Sequence, residues 1–482
     1  MGQIIIADRV VLSGTVSQVF EQLISSGLPR WQIPPHCRLT LGTPVRIPLT
    51  LPANLGGQAV EILGRVQRID PGRRIVLHHH LPWQGRMSVT VDFHSPERSK
   101  VSLLVELNEE IVRWAQHMVA PTVEASTSQA WRVGLLTSAN GSASIFSASA
   151  SSTAMMAVGE INADGGVAGR PLELLVGNDG THPGLGAAEL VRLAQSGCRI
   201  VLANVTSGVF AALRPVARRH GVLIIHTPVN EGGAVGPELI RLGERPVAQS
   251  RAVIPSLMSV TGGSRFFLAG SDYRWPRTAH RAVRKVIERH GGTVVGEAYP
   301  LLGTADYRPL VSLIRRSNAD LVISTFIGAD EVAFEQQMYQ AGMRDRVATF
   351  AMVLDESTID YIGADASEGI WSAFSYFHNL DTAENRTFKA RYYAQFGSDA
   401  PSPTSMTQGI YDALHLVARA SAKSNSWDPV LIGETLREGV EYIGPRGRIV
   451  SSWRGLQQPL YIAQSLNGML SPVDQFLMPD QK

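Results

Sequence analysis

Hydroxyl and amide side chains recur in this sequence directly after short apolar segments. They include Thr137, Ser138, Asn204, Ser207, Thr227, Ser271, Tyr273, Ser324 and Thr325. Such groups can hold a small neutral or zwitterionic molecule by hydrogen bonds, but few acids or bases that could transform it stand among them. Each Ser or Thr could also simply cap a following helix. Together, these positions favour a binding pocket for a small polar ligand.

The sequence patterns of common catalytic and cofactor sites are absent. The chain has no Gly-x-Ser-x-Gly turn, no His-Glu-x-x-His and no Gly-Lys-Ser/Thr loop. Residues 184–189 imitate half of a dinucleotide fingerprint, but the third glycine is missing and a turn, not a strand, precedes them. We therefore expect no catalytic residue, no cofactor and no enzyme activity.

The run His78-His79-His80 is a candidate metal-binding group. In a strand, alternation places His78 and His80 on one face, where two imidazoles could contact a metal. A third ligand would have to come from His94, which needs a favourable strand register. We expect these histidines to lie on the surface or line a cavity, and we predict no metal site. Cys37 and Cys198 are expected to be buried thiols.

Length and composition limit the class of protein. A chain of 482 residues provides about three domains at about 150 residues each. Hydrophobic residues make up 44% and charged residues 18%, and the net charge is +2, which argues against disorder, membrane insertion and direct nucleic-acid binding. The first residues lack a basic segment followed by a long apolar run, so we predict a cytoplasmic protein.

The chain changes character near residues 119–130, which are small, polar and include a proline. This segment is predicted to be a linker. Before it, strand patterns at 60–69, 74–80, 87–93 and 101–107 predict an antiparallel sheet, with one helix over 17–25 and another beginning near Asn108. The sequence therefore predicts an α+β domain over residues 1–118.

After the linker, short apolar strands alternate with amphipathic helices. Strands are predicted at 133–136, 200–203, 222–225, 266–269, 294–297, 321–325 and 348–352. Repeated βα units imply parallel, doubly wound sheets. Because about 350 residues exceed what one such sheet usually holds, residues 131–482 are predicted to form two α/β lobes.

Motifs in this second part resemble the type I periplasmic-binding-protein family, Leu/Ile/Val-binding-like, and within it the amide and urea binders. They are VGLL at 133–136, GEINADGGVAGR at 159–170, GSDYRWPRT at 270–278, STFIG at 324–328, DTAEN at 381–385 and GPRGR at 444–448. That branch includes binding proteins of ABC transporters and a cytoplasmic amide sensor that regulates an amidase operon. The resemblance covers about residues 131–476.

The resemblance implies a two-lobed type I periplasmic-binding fold, with two Rossmann-like parallel sheets joined by three crossing strands. It also implies that the lobes close over a ligand held by Ser138, Ser207, Thr227, Tyr273, Trp275 and Thr325. Where the branch commonly has tyrosines, this chain has Val205 and Ile225. We therefore expect a wider, more aliphatic pocket and a ligand with a polar head and an apolar tail.

The N-terminal segment resembles the SRPBCC superfamily of helix-grip domains. The resemblance rests on VSQVF at 16–20, Trp31, GRVQRIDPGRRIVL at 64–77 and Gly85, and it spans residues 1–118. Such a domain would bind an apolar ligand or a protein partner.

Three functions are open from the sequence. The first is a cytoplasmic small-molecule sensor or regulatory protein that closes over an amide, a urea or an amino-acid-like ligand and acts on a protein partner. The second is the substrate-binding component of an ABC transporter for amides, urea or branched-chain amino acids. The third is an enzyme that uses the N-terminal cavity. The sequence does not decide whether the protein forms a homo-oligomer.

Overall fold

The structure, a computed structural model, describes residues 3–26, 39–41, 43–50, 59–81, 85–107, 130–233, 236–398 and 400–476. The chain divides into two compact units, one of residues 1–121 with 393–401 and one of residues 122–392 with 402–482. Because residues 108–129 lie outside the described part, the boundaries at 118 and 131 and the linker between them stay a prediction.

The first unit contains a six-stranded antiparallel sheet and a helix. Its elements are β1 (Gln3–Ser13), α1 (Val16–Ser26), β2 (Pro44–Thr50), β3 (Ala59–Asp70), β4 (Arg74–Leu81), β5 (Gly85–Ser95) and β6 (Arg98–Leu107). The order across the sheet is β1-β6-β5-β4-β3-β2. The four predicted strands are confirmed, and β1 and β2 add to them.

Helix α1 begins where the sequence supplies a capping box. Thr15 Oγ1 accepts a hydrogen bond from Gln18 N at 3.4 Å, and Thr15 N donates to Gln18 Oε1 at 2.9 Å. The apolar face of the helix is buried through Val19 and Phe20, among others. The helix predicted over residues 17–25 is therefore confirmed.

The histidine run lies in strand β4, where His79 is buried and His78 is half-buried. Within the part of the chain that the structure describes, no group of three or more His, Cys, Asp or Glu side chains is arranged to hold a metal ion. The helix predicted from Asn108 and the thiol of Cys37 fall outside the described residues. The SRPBCC-like assignment of this unit therefore stays a prediction.

The second unit begins with a parallel five-stranded sheet. We call this sheet and the helices that cover it the first lobe. Its strands are β7 (Trp131–Thr137), β8 (Leu172–Asn178), β9 (Ile200–Asn204), β10 (Leu223–His226) and β11 (Leu239–Arg241), in the order β11-β10-β9-β7-β8. Its helices are α2 (Ala150–Ala163), α3 (Pro183–Gln195), α4 (Ser207–His220), and from later in the chain α12 (Gln408–Ser424) and α13 (Pro429–Glu438).

The second lobe is built on a seven-stranded sheet. Its strands are β12 (Arg265–Gly270), β13 (Thr293–Ala298), β14 (Leu321–Thr325), β15 (Ala348–Ala351), β16 (Trp371–Phe374), β20 (Leu460–Leu466) and β21 (Met469–Phe476), in the order β13-β12-β14-β15-β16-β20-β21. The first five are parallel, and β20 and β21 are antiparallel additions. Its helices are α5 (Pro246–Thr261), α6 (Arg274–Arg289), α7 (Arg308–Arg316), α8 (Ala329–Gln340), α9 (Glu356–Ile362) and α10 (Ala364–Ser367).

The chain passes between the lobes three times, after β11, after β16 and after a small sheet of β17 (Glu441–Gly444), β18 (Gly447–Ser452) and β19 (Gly455–Gln457). Helix α11 (Ala383–Phe396) follows the second passage. One buried polar group joins all three passages. Arg446 donates to Ser375 Oγ and to Gln458 Oε1, the latter at 3.0 Å, and Ser375 N donates to Glu244 Oε1 at 2.8 Å. The two lobes and three crossings that the resemblance implied are confirmed.

Apolar strands lie beneath amphipathic helices in both lobes. In the first lobe, every residue of β9 is buried, and Leu190 and Leu193 of α3 pack into the same cluster as Val209 and Leu213 of α4. Continuous apolar strands of this kind are typical of parallel sheets that are covered on both faces. Among the described residues, we find no helix whose length and apolar character would let it cross a membrane.

Candidate functional site

A cleft lies where the strand order of each lobe reverses. In the first lobe the reversal lies between β7 and β9, and in the second between β12 and β14. Neighbouring loops diverge at such points and leave a crevice beyond the carboxyl ends of the strands. The cleft contains about 440 Å³ of empty space, part of it open to solvent. Its lining consists of Ala143, Phe146, Asn204, Val205, Thr206, Ser207, Pro228, Val229, Tyr273, Trp275, Ile327, Val353 and Met406.

The polar edge of the cleft comes from the connection between β9 and α4. Thr206 caps the helix, because its Oγ1 accepts a hydrogen bond from Val209 N at 3.5 Å. The amides of Ser207 and Gly208 stand in the first turn of α4, where no intrahelical acceptor exists and the helix dipole is positive. The Ser207 hydroxyl adds a further donor. This edge can therefore hold a carboxylate or a carbonyl oxygen.

Asn204 fixes the shape of the same edge. Its Nδ2 donates to Thr227 Oγ1 at 3.2 Å and to the Met406 carbonyl oxygen at 2.8 Å. The side chain thereby ties the end of β9 to the segments that follow β10 and precede α12. Thr227 is buried and does not line the cleft, so its hydroxyl positions Asn204 and does not itself face the cavity.

Aromatic side chains from the start of α6 form the opposite face. Trp275 is only 2% exposed, and its indole Nε1 has no hydrogen-bond partner in the described part of the chain. Burial, together with the negative charges of Asp330 and Glu231, raises the pKa of Tyr273, so its phenol stays protonated. A neutral phenol and an unpartnered indole N–H can both donate a hydrogen bond to a bound molecule.

Among the described residues, those that line the cleft include no Asp, Glu, Lys, Arg or His. A ligand ammonium group would therefore meet no carboxylate there. The lining also offers no general acid or base to activate a hydroxyl nucleophile. The arrangement is suited to binding a small molecule.

The two lobes touch beside the cleft at Gly328, which follows β14. The backbone of Gly328 has a φ of +49°, and a Cβ at this position would lie 2.3 Å from the carbonyl oxygen of Ser142 in the first lobe. No other residue type permits such an approach without displacing a lobe. Helix α9 of the second lobe also packs against the 3₁₀ turn Ser144–Ser147. The lobes are therefore in close contact on this side of the cleft.

The structure brings together three of the six predicted ligand residues, because Ser207, Tyr273 and Trp275 all line the cleft. Ser138 and Thr325 lie elsewhere. The Ser138 hydroxyl donates to Asp179 Oδ1 at 2.6 Å, and the Thr325 hydroxyl donates to the carbonyl oxygen of Ala269 at 3.1 Å. Both residues are fully buried. Their hydroxyls hold loops and strands within their own lobes, and neither residue is in the cleft lining, so their role as ligand contacts stays a prediction.

The structure places Val205 and Ile225, the two positions expected to widen the pocket, in different surroundings. Val205 lines the cleft directly beside Asn204. Ile225 is fully buried inside β10, opposite Leu202 of β9 and Ile240 of β11. Of these two positions, only Val205 adds aliphatic surface to the cleft, and Ile225 belongs to the core of the first lobe.

Sequence reasoning did not identify several apolar lining residues. Phe146, Val353 and Met406 come from three different connections, after β7, after β15 and before α12. Apolar side chains in loops carry no local pattern that separates a ligand-facing position from a core position. Of the three, Val353 alone lies directly after a strand, and this signal was used above only for polar residues.

Each lobe also contains a buried ionisable group whose pKa is shifted. Burial lowers the pKa of His226, at the end of β10, to about 4. Burial and the neighbouring Glu356 raise the pKa of Asp355, which caps α9, to about 7. Burial also raises the pKa of the Cys198 thiol to about 12, so it stays protonated, as expected of a buried thiol.

The sequence matches the family of periplasmic binding proteins over residues 130–468. The chain belongs to that family. The matched residues include the cleft and both lobes except strand β21, and they begin after the six-stranded sheet of the N-terminal unit.

This periplasmic binding protein is similar to a Leu/Ile/Val-binding protein homologue of Brucella melitensis, with 22% identity over 317 residues, which are 64% of this chain and 83% of the relative. Among solved structures, a branched-chain amino acid transporter substrate-binding protein of Streptococcus pneumoniae in complex with isoleucine aligns with a TM-score of 0.63 and 17% identity, covering 73% of this chain and 99% of that one.

A second solved structure, a solute-binding protein of an ABC transporter from Rhodopseudomonas palustris in complex with 3,4-dihydroxybenzoic acid, aligns with a TM-score of 0.61 and 23% identity. It covers 73% of this chain and 99% of that chain. At these identities the two structures establish the fold alone. The family is therefore shown at the level of the Leu/Ile/Val-binding-like periplasmic binding proteins, and the amide and urea branch stays a prediction.

Proposed function

We propose that this protein is the substrate-binding component of an ABC transporter, and that it captures a small organic acid with an apolar body and no ammonium group. The observation that carries the proposal is the uncharged, largely apolar lining of the cleft with one polar edge at the start of α4. The transporter role is supported by the relatives, whose names and titles describe binding proteins for branched-chain amino acids and aromatic acids.

The polar edge suits a carboxylate. The amides of Ser207 and Gly208 and the Ser207 hydroxyl converge near the positive end of the α4 dipole, where an anion is stabilised. Opposite this edge, Trp275, Ile327 and Val353 offer an apolar surface to the body of the ligand. A ligand with a polar head and an apolar tail fits both faces.

An α-amino acid fits less well. Its ammonium would be enclosed by a lining that holds no carboxylate among the described residues, and a buried unpaired charge is costly. The relatives include binders of both kinds, isoleucine in one structure and 3,4-dihydroxybenzoic acid in the other. The lining favours the second kind of ligand, an acid without an ammonium group.

Calorimetry on the full chain tests this with a matched pair, 3-phenylpropanoate and phenylalanine, which differ by the ammonium group alone. We expect 3-phenylpropanoate to bind at least about tenfold more tightly, because the ammonium of phenylalanine would be desolvated without a partner. Acetamide and urea serve as controls for the amide branch. Tighter binding of phenylalanine, acetamide or urea would overturn the proposal.

Lobe closure is the expected response to the ligand. Contacts from both lobes, such as Ser207 on one side and Trp275 on the other, stabilise the closed state more than the open state. Small-angle scattering of the full chain should show a smaller radius of gyration when 3-phenylpropanoate is added. An unchanged radius at saturation would exclude this mode of binding.

A second candidate function is a cytoplasmic sensor that signals to a regulatory protein partner. The observation in its favour is the folded N-terminal unit, whose six-stranded sheet lies outside the residues 130–468 that match the family. Subcellular fractionation separates the two functions. A protein found outside the cytoplasm would exclude the sensor, and a cytoplasmic protein that remains functional would exclude the transporter component.

A further inference from the structure

A single arginine lies where the three connections between the lobes meet. Arg446 is only 3% exposed and belongs to the GPRGR motif at 444–448, whose five residues do not line the cleft. It lies between β17 and β18 of the small sheet. Its guanidinium makes contacts along two edges, and these edges face different lobes.

The first lobe holds one edge of the guanidinium. Nε donates to Gln408 Oε1 at 2.7 Å, and Nη2 donates to the same oxygen. Nε also forms an ion pair with Asp412 Oδ2 at 2.7 Å. Gln408 Nε2 donates to Asp412 Oδ1 at 2.9 Å, so the two side chains act as one unit. Both residues are fully buried in α12, a helix of the first lobe.

The other edge is held where the chain enters and leaves the second lobe. Nη1 donates to Ser375 Oγ and, at 3.0 Å, to Gln458 Oε1. Ser375 directly follows β16, and Gln458 lies between β19 and β20. The Ser375 hydroxyl in turn donates to Glu244, which lies in the first passage, between β11 and α5. We call Arg446 and its partners the hinge cluster, which consists of Glu244, Ser375, Gln408, Asp412, Arg446 and Gln458.

Close packing leaves the hinge cluster little freedom. A Cβ on Gly444 would lie 2.5 Å from Asp412 Oδ1, and a Cβ on Gly409 would lie 3.2 Å from Nη2 of Arg446. Screening by water is weak at a buried site, so these charge-assisted contacts are strong and depend on geometry. Because the guanidinium is planar and rigid, a rotation of one lobe against the other must lengthen the contacts along one of its edges.

We propose that Arg446 is the hinge residue that sets the equilibrium between open and closed lobes, so that it scales the affinity for every ligand by one factor and does not select among ligands. The lobes are in close contact at Gly328 in this arrangement, and both edges of the guanidinium are bonded in it. Contacts that are complete only in this arrangement stabilise the closed state relative to the open one. The proposal rests on the proposed function, since it describes how the same cleft closes.

A residue that acts on closure has an effect that a ligand contact does not have. When only the closed lobes hold the ligand, the apparent dissociation constant is the intrinsic constant divided by the fraction of closed protein. A change in that fraction therefore multiplies the dissociation constants of all ligands alike. Because Arg446 does not line the cleft, the intrinsic constants should stay the same.

The variants Arg446→Lys and Ser375→Ala test the hinge on the full chain. Lysine keeps the charge but cannot donate along two edges, and Ser375→Ala removes the hydroxyl that joins the guanidinium to Glu244. Each variant should lower the affinity for 3-phenylpropanoate and for 3-(4-hydroxyphenyl)propanoate by one common factor of about ten, measured by calorimetry. Small-angle scattering of each ligand-free variant should also give a larger radius of gyration than that of the unmodified protein.

Ser372→Ala is the matched control. Ser372 is also a fully buried serine, in β16 itself, but its hydroxyl donates at 2.7 Å to the carbonyl oxygen of Leu354 within the second lobe. This variant should lower the midpoint of thermal unfolding about as much as Ser375→Ala does, and it should leave both affinities and the radius unchanged. If Arg446→Lys does not fold, Ser375→Ala decides alone, since it leaves the ion pair with Asp412 in place.

Hinge variants that change the ratio of the two affinities, or that leave both affinities intact, would overturn the proposal. An equal loss of affinity in Ser372→Ala and Ser375→Ala would overturn it as well. If neither acid binds to the unmodified protein, the proposed function fails, and scattering of the ligand-free proteins then tests the hinge independently. A radius of gyration in Ser375→Ala that exceeds those of the unmodified protein and of Ser372→Ala would support the hinge, and equal radii would overturn it.

Discussion

The two faces of the cleft do different work. The first lobe presents Asn204, Thr206 and Ser207 with the amides at the start of α4, whereas the second lobe presents Trp275, Ile327 and the ring of Tyr273. Polar contacts need precise geometry, while apolar contacts need only coverage. On the proposed function, the first lobe would select the head group of the ligand and the second lobe would enclose its body.

The buried ionisable groups behind the two faces also differ. His226 in the first lobe donates from Nε2 to the carbonyl oxygen of Val205 at 2.9 Å and is kept neutral by burial. Asp355 in the second lobe accepts hydrogen bonds from the amide and hydroxyl of Thr358, and burial favours its protonated form. Folding therefore disfavours the protonated form of His226 in the first lobe and favours the protonated form of Asp355 in the second.

The largest expected effect tests this contrast through Asp355→Asn. The pKa of Asp355 is about 7 in the folded state and 3.8 in the reference state. The folded state therefore has its full stability with respect to this group below pH 3.8, and the free energy of unfolding falls as the pH rises to 7. Relative to the unmodified protein, Asp355→Asn should gain up to about 1.4 kcal/mol of unfolding free energy per pH unit across this window. Urea unfolding at pH 4, 5.5 and 7 measures it.

The variant His226→Gln should give a difference of the opposite sign. The pKa of His226 is about 4 in the folded state and 6.5 in the reference state. The folded state therefore has its full stability with respect to this group above pH 6.5, and the free energy of unfolding falls as the pH is lowered toward 4. The variant should therefore gain stability relative to the unmodified protein as the pH is lowered. Parallel pH profiles for both variants and the unmodified protein would contradict the assignment of these buried charges.

The next largest effect concerns the contact between the two faces, through Gly328→Ala. The added methyl group would lie 2.3 Å from the carbonyl oxygen of Ser142, so the lobes could not approach fully. Overpacking of this kind costs about 1–3 kcal/mol, and we expect ligand affinity to fall by about a hundredfold. Scattering should show less compaction with ligand than in the unmodified protein.

Gly342→Ala is the matched control for this prediction. Gly342 also has a positive φ, +64°, but no atom lies within 4 Å of the position that its Cβ would take. It therefore carries the conformational cost of an alanine without the steric conflict. If the two variants lose affinity equally, the contact between Gly328 and Ser142 is not what limits closure.

The fold was predictable where burial leaves a continuous apolar run. Strands β9 and β14 are buried at every residue, and both were predicted. Strand β8 was not, because it is an edge strand that is only partly buried and its sequence, LELLVGN, mixes apolar with polar positions. Strand β20 joins the second-lobe sheet only after the third crossing and carries β21 with it, and no local pattern describes that crossing.

The site was predictable in part, because hydroxyls after strands have two uses. Ser138 and Ser207 both follow strands of the first lobe, but only Ser207 lines the cleft. The difference depends on Asp179, which lies after β8 and accepts the hydrogen bond of Ser138. Asp179 is distant from Ser138 in the sequence, and the two residues meet because β7 and β8 are adjacent in the sheet. The sequence around Ser138 therefore could not indicate this hydrogen bond.

The same pair of serines provides a further prediction, on the polar face of the cleft. Ser207→Ala should weaken binding of 3-phenylpropanoate by about ten- to a hundredfold, because a ligand oxygen would lose a buried donor. Ser138→Ala should leave affinity unchanged and lower the unfolding free energy by about 1 kcal/mol, since the buried Asp179 would lose a donor. Calorimetry and urea unfolding of both variants distinguish the two roles. An equal loss of affinity would show that Ser138 also acts on the ligand.

The smallest expected effect tests the body-enclosing face through Trp275→Phe. The substitution retains an aromatic surface and removes the indole N–H, which has no partner among the described residues. If the ligand accepts a hydrogen bond from this group, affinity should fall by about tenfold, and a ligand without an acceptor on its apolar body should lose much less. 3-(4-Hydroxyphenyl)propanoate and 3-phenylpropanoate supply the two cases in calorimetry.

Trp131→Phe controls for loss of an indole elsewhere, because Trp131 Nε1 donates to the carbonyl oxygen of Val167 at 3.2 Å, at the opposite end of β7 from the cleft. It should lower stability and leave both affinities unchanged. If Trp275→Phe lowers the affinity for both acids equally, the indole contributes apolar contact surface and not a hydrogen bond. The second lobe would then enclose the ligand without selecting it, and the contrast between the two faces would be sharper than the unpartnered N–H suggests.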